Sequence, residues 1–453
     1  MAFLWFMIYY TLCSLFSTTI SEQINSLPGQ TVNVTFKQFS GYIVSDDYYG
    51  RSLFYYFVEA QSKRSPTLLP LTLWLGGAHG CSSSGNALFT ENGPFRPAKD
   101  GKLILNPFSW NLVSNMLYVD SPIGTGFSFS NTDSDYTKWN HSMTVHENMK
   151  FVLKWFEKFP KYRNSDFYLA GDGSAGHLIP QLAALMLEYN QHNDAMPIKL
   201  KGIALGNPGM GTPGIDTADY LWYHGVISQE LYTMLKTVCS YAKQFYEGHH
   251  GKFSKDCQIV SDKMDEELGE DFEMDSLLSP NCVPSNSVAS DNIIGSPCLS
   301  QYASSYLNKR EVQKAVHVNK TRLPYNWDIC QGALKVEKDA YDTKNFHTLA
   351  TLLKRRTRIL FYSGDQDVSV PVVETRKFAQ ILAEQFKLVH LQKNRPWYNG
   401  FQVGGWSDAF GKLREGKNVT YLTFASVKGG SHFVPLSSPS EVLILFKSFL
   451  RPS

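Results

Sequence analysis

The chain has 453 residues, with 43 Lys plus Arg against 41 Asp plus Glu, for a formal net charge of +2. That balance argues against nucleic acid as a partner, because polyanion binders usually carry a large basic excess. Apolar residues at 43% and charged residues at 19% exclude a disordered chain, and the length suits two to three domains or one large α/β domain with an insertion.

The first segment, Met1 to Phe16, is uncharged and nearly all apolar, and the small residues Thr18, Thr19 and Ser21 follow it. Residues 1–21 therefore read as a secretory signal peptide without the usual basic start; an uncleaved anchor is the alternative. No later apolar run approaches about 18 residues, so no membrane association is expected after cleavage.

Short β-branched and apolar runs then predict buried strands at Leu68–Leu75, Met116–Asp120, Phe167–Gly171, Gly202–Asn207, Arg358–Asp365 and Tyr421–Val427. Between them, Val145, Met149, Val152, Leu153 and Phe156 recur at helical spacing and predict a helix over Ser142–Phe159. Ser438-Pro439-Ser440-Glu441 predicts a capping box opening a last helix through about Leu450. Alternating strands and helices indicate an α/β fold with a mostly parallel, doubly wound sheet. Residues 209–325 break the rhythm and read as a mainly helical insertion in a core of 22–208 and 326–453. The acidic run Asp265 to Asp275 within the insertion reads as a solvated face, a regulatory role being the alternative. Lys354-Arg355-Arg356 similarly reads as a polar helix end more than as a processing site.

Seven cysteines include Cys13, which leaves with the signal. The remaining six favour three disulfides in an oxidising compartment. Local closure favours Cys239–Cys257 and Cys282–Cys298, leaving Cys81–Cys330 as a long-range staple; each small loop is worth about 3 kcal/mol in the loop-entropy view. No CxxC or HxxxH spacing supports a metal, and no cofactor is expected. Sequons at Asn33, Asn140, Asn319 and Asn418 agree with passage through the secretory pathway, to an extracellular or lysosomal location.

Three places follow the chain order of an α/β-hydrolase: a strand-to-helix turn, an acid after a late strand, and a His near the end. His432 lies in Val427-Lys-Gly-Gly-Ser-His432-Phe-Val-Pro435, a Gly-rich turn after a strand, where it would serve as general base. Asp367, in Gly364-Asp-Gln-Asp367, would orient the imidazole. The rival acid, Asp365, reads as a turn residue capping local amides.

With these motifs the chain resembles the serine carboxypeptidases, exopeptidases of the α/β-hydrolase fold. The resemblance runs from Ser26-Leu-Pro-Gly29 and Gln38-Phe-Ser-Gly-Tyr42 through Trp74 to Ser83, Thr90-Glu-Asn-Gly-Pro-Phe95, Asn106-Pro-Phe-Ser-Trp110 and Asp120-Ser-Pro-Ile-Gly-Thr-Gly-Phe127. It continues through Gly171 to Gly176 and Val312-Gln-Lys-Ala-Val-His-Val-Asn319, and closes with Gly429 to Pro435. It implies the Cys81–Cys330 bridge and a cap over the site.

The family's nucleophile turn reads Gly-Glu-Ser-Tyr-Ala-Gly, whereas this chain has Gly171-Asp172-Gly173-Ser174-Ala175-Gly176. Gly173 thus falls on the nucleophile position, and Ser174 lies one residue further, about 100° round the helix. The family's oxyanion and carboxylate-binding loop reads Trp-Leu-Asn-Gly-Gly-Pro-Gly-Cys, against Trp74-Leu75-Gly76-Gly77-Ala78-His79-Gly80-Cys81 here. Gly76 replaces the Asn that would bind a terminal carboxylate, and Ala78 a Gly whose amide would meet the oxyanion. His79 reads as an exposed loop residue before it reads as a substitute base. Asp172 and Glu91 match the family's acidic residues and would share a proton at acidic pH; alternatively, Asp172 caps the next helix.

The expectation is a carboxypeptidase homologue whose catalysis is lost or strongly reduced. It would keep peptide or protein C-termini as ligands and could partner itself as a homodimer or another protein. The alternative is an active enzyme using Ser174 with His432 and Asp367. Acyl transfer on small molecules, found in the wider family, also needs the serine.

Overall fold

A computed structural model describes residues 22–76, 80–192, 196–210, 217–249, 251–282, 296–318, 327–330, 334–335, 344–414 and 416–451. The expected signal peptide, residues 1–21, lies outside them, as do Gly77, Ala78, His79 and Asn319.

The strands in chain order are β1 (Gln23–Ile24), β2 (Gln38–Asp46), β3 (Arg51–Val58), β4 (Leu71–Leu75), β5 (Phe95–Pro97), β6 (Leu103–Leu105) and β7 (Asn115–Val119), then β8 (Phe167–Asp172), β9 (Leu200–Gly206), β10 (Arg358–Gly364), β11 (Val389–Asn399), β12 (Gln402–Arg414) and β13 (Lys417–Val427). Eleven of them form one sheet in the order β1-β2-β3-β7-β4-β8-β9-β10-β13-β12-β11. The ladders from β7 through β13 are parallel, while both margins are antiparallel. The six predicted strands are thus the parallel centre, each matched to within a few residues. Every residue of β3, β4, β7 and β8 is buried, as strands covered on both faces require.

Side-chain alternation divides the core. Leu53, Tyr55 and Phe57 of β3 face one layer, with Phe151, Trp155, Ile179 and Leu182 from helices His141–Lys158 and Ala175–His192. Phe54, Tyr56 and Val58 face the other, with Tyr306, Phe446 and Leu450 from helices Leu299–Leu307 and Pro439–Leu450. Helix His141–Lys158 is capped by Asn140, whose side chain accepts from the Met143 amide at 2.9 Å. The predicted capping box is not made. Ser438 is the N-cap of the last helix, yet its hydroxyl donates to the Lys428 carbonyl at 3.4 Å, and Glu441 instead accepts from Ser440 and Asn399.

Between β9 and β10 the chain is helical. Helices Thr217–Tyr223, Gln229–Thr237 and Lys255–Leu268 enclose a separate cluster around Leu221, Leu231, Leu235 and Val260. Helices Leu299–Leu307 and Arg310–Ala315 pack instead on the sheet-side cluster. All three expected disulfides are present: Cys81–Cys330, Cys239–Cys257 and Cys282–Cys298. Asn33 and Asn418 are exposed and Asn140 is half-buried. Lys354 to Arg356 is an exposed helix end. Among the described residues, no helix is long and apolar enough to cross a membrane, and no cluster of three or more potential ligands forms a metal site.

Candidate active site

The connection from β4 leads to β7 on one side, while that from β8 leads to β9 on the other. A crevice therefore opens at the carboxyl ends of β4 and β8, the usual binding place in such sheets. The sequence loads this edge: Gly76 after β4, Gly173 after β8, Asp367 after β10 and His432 after β13.

Strand β8 ends at the buried Asp172, and the Gly173 amide extends the ladder by donating to Gly206 O at 3.0 Å. Gly173 then takes a φ of +48°, and its carbonyl accepts from the Gly176 and Gly209 amides, both at 3.0 Å. The sharp turn is therefore centred on residue 173. A Cβ on Gly171, two residues earlier, would lie 2.3 Å from Leu75 O. That crossing tolerates only glycine, so the turn cannot slip by one without setting Asp172 in Gly171's place. Ser174 follows, partly buried and without a positive φ. No hydrogen bond joins its hydroxyl to His432, whose ring bonds Asp367.

The helix that follows contains Pro180, which cannot donate to the Gly176 carbonyl. Asn345 supplies the missing donor at 3.2 Å and lies 2.6 Å from His177 Nδ1. A proline inside a predicted helix signals such an orphan, although it does not reveal the partner.

His432 Nδ1 and Asp367 Oδ2 are 2.8 Å apart, with Asp367 fully buried and His432 largely so. Burial alone would pull the imidazole down. The hydrogen bond and charge of Asp367, with Asp275 and Asp172, outweigh it and raise His432 from 6.5 to about 9. Burial also lifts Asp367 above the ordinary carboxylate value, against the pull of His432 and of the Val370 amide at 3.0 Å. Among the described residues Asp365 caps no local backbone amide; it accepts from Gly429 N at 2.8 Å, in the turn before His432, and from the Gln366 side chain at 2.9 Å.

The sequence did not single out Asn207. This buried residue at the end of β9, with φ +36°, donates to the carbonyls of Ser431 (2.8 Å) and His432 (2.6 Å) and accepts from Gly364 N at 2.8 Å. It ties the His turn to β10. An Asn just past a strand, readily left-handed, is the one signal that could have marked it.

On the β4 side, the Gly76 amide donates to Ser83 Oγ at 2.7 Å, and a Cβ at Gly76 would lie 3.1 Å from Cys81 O. The loop that follows is anchored on buried Asp120, which accepts from Ser82 Oγ (2.7 Å), Ser84 N (2.9 Å), Ser84 Oγ (2.8 Å) and Phe127 N (3.0 Å). The expected acidic pair does come together. Burial lifts Glu91 well above its ordinary value, the charge of Asp172 adds to the rise, and Arg96 opposes it. Arg96, also unforeseen, is buried beside them and donates to Glu91 O at 2.8 Å. The assembled groups can hold a proton on Glu91 and present a cationic imidazole.

Comparison with known proteins agrees with this architecture. The family profile described as Serine carboxypeptidase matches residues 28–452. Serine carboxypeptidase-like 46 of Arabidopsis thaliana is 39% identical, covering 96% of this chain and 94% of that protein. Serine carboxypeptidase-like 45 of the same plant is 37% identical over 98% and 97%. The solved structure of Kex1, a prohormone-processing carboxypeptidase of Saccharomyces cerevisiae, matches with a TM-score of 0.66 at 20% identity, covering 91% of each chain, and shares the fold.

Proposed function

We propose a function on one premise: the chain belongs to the serine carboxypeptidase family. Within it, this member keeps the fold and the Asp367–His432 pair but has lost, or nearly lost, acyl-enzyme chemistry. It acts in the secretory pathway, outside the cell or in a lysosomal compartment, by holding peptide or protein C-termini, alone or beside a second protein subunit.

The observation that carries the reading is the turn at Gly173. Its φ of +48° belongs to the position where the family's serine would stand, and the residue there has no side chain. Removing the nucleophile of a serine protease costs on the order of 10⁶ in kcat, or about 8 kcal/mol of transition-state stabilisation. His432 does not make up the loss. An imidazole raised to about 9 is protonated in acidic or neutral compartments, so it is a poor base for water. Three disulfides support folding in an oxidising lumen.

The test is covalent labelling with a fluorophosphonate probe of the unmodified protein, Gly173→Ser and Ser174→Ala. No labelling of the unmodified protein, with a gain in Gly173→Ser, is expected. Labelling of the unmodified protein that vanishes in Ser174→Ala would overturn the proposal in favour of an active enzyme with a displaced serine. Binding is checked separately, by calorimetry with a peptide bearing a free C-terminus against its amide; equal affinity would remove C-terminal recognition.

A further inference from the structure

Residues Met274 to Leu277, within the insertion, cross the loops that carry Asp367 and His432. The Met274 carbonyl accepts from the Val368 and Ser369 amides, both at 3.0 Å, and the Leu277 amide donates to Gln366 O at 2.9 Å. The Asp275 carbonyl accepts from the His432 amide at 2.7 Å. The Asp275 carboxylate, in turn, is met by the Ser369 hydroxyl at 3.5 Å. Two further contacts tie the same loop to the insertion. Tyr220 donates its hydroxyl to Asp365 O at 2.7 Å, and the Val368 side chain is buried in the insertion's own apolar cluster.

The acid loop is thus fixed from two sides, by β10 beneath and by the insertion above. The route to the crossing segment is short and stiff. Cys239–Cys257 joins the end of helix Gln229–Thr237 to the start of helix Lys255–Leu268, and Gly269, at φ +73°, ends that second helix just before the crossing. Asp367 after β10 bonds the imidazole directly, and the charges of Asp275 from the insertion and Asp172 from the end of β8 act on it in the same sense.

We propose that Asp275 is a positioning residue of the site, carried on a strap that makes the insertion a structural part of the Asp367–His432 pair. Its backbone carbonyl fixes the main chain of His432, and its charge favours the imidazolium. The inference takes from the proposed function only that His432 belongs to the site. It stands whether or not the chain hydrolyses peptides, and its readout does not depend on labelling.

The experiment is an NMR titration of the full protein carrying ¹³C-labelled histidine, with the His432 signal assigned through His432→Gln. Asp275→Asn is expected to lower the His432 midpoint by about one pH unit, Ser369→Ala by less, and the control Asp367→Asn by more. An unchanged midpoint in Asp275→Asn, alongside a shift in Asp367→Asn, overturns the charge role. The strap is read by amide exchange in Cys239→Ser/Cys257→Ser. Val368, Ser369 and His432 should exchange about tenfold faster or more, with Gly173, which bonds Gly206 in the core, unaffected. Equal exchange of those three amides in the bridged and unbridged proteins overturns the strap.

Discussion

The Asp367–His432 arm and the Gly173–Gly76 arm meet at the same sheet edge, and both are well anchored in the main chain. Asn207 and Asp275 hold the turn of His432, and Asp120 holds the loop after β4. They differ in what the anchoring presents. The first ends in a hydrogen-bonded acid and imidazole; the second ends in two glycines where the family has Asn and Ser. A loop can therefore be held as firmly around a glycine as around a reactive side chain, because its hydrogen bonds stabilise the fold itself.

The contrast can be broken first at Asp120. Asp120→Ala would orphan the donors of Ser82, Ser84 and Phe127, at a cost of about 3–5 kcal/mol. A urea titration should show this fall in midpoint, and a change below about 1 kcal/mol would mean that the loop is held elsewhere. On the other arm, Asn207→Ala should cost about 2–3 kcal/mol, since two carbonyls and one amide lose their partner. The same variant should broaden the His432 resonance, which a purely global loss of stability would not do.

Third comes pH. Between 6.5 and about 9 the folded state keeps a proton on His432 that the unfolded chain releases. The stabilisation is complete below 6.5 and is lost as pH rises through 9, on the order of 3 kcal/mol in all. Glu91 acts in the same direction, because the unfolded carboxyl ionises first as pH rises past 4.5. Denaturation from pH 5 to 9 should therefore show falling stability, with the upper part of the decline flattened in Asp367→Asn. The smallest effect is expected of Gly173→Ser: about 1 kcal/mol of destabilisation, from placing a side chain at φ +48°. An equal or higher midpoint would show that the turn relaxes.

Much of this was legible because it is periodic or local. The parallel strands are apolar runs, Asp367 and His432 sit in turns whose glycines mark strand ends, and the short disulfide loops follow from cysteine spacing. The rest depends on distant partners. Asp275 is one acid in an acidic run until the chain folds its carbonyl against His432. Asn207 and Asn345 act on carbonyls and amides more than 150 residues away. Ser438 matched the capping pattern, but its hydroxyl donates to Lys428 O and accepts from no helix amide, a choice that a four-residue motif does not contain. The antiparallel β11 is largely exposed, its register with β12 is irregular, and neither strand has the continuous apolar run that marked the centre.

A serine in the left-handed turn at residue 173 would sit there against its own preference, kept only by usefulness. Glycine adopts the same turn without that strain and is the more stable choice there. At Gly76 the constraint is space instead: an added Cβ would meet Cys81 O at 3.1 Å and Ser83 Oγ at 3.2 Å. The dihedral angle at residue 173 thus favours glycine over serine in folding free energy, whatever chemistry the position serves.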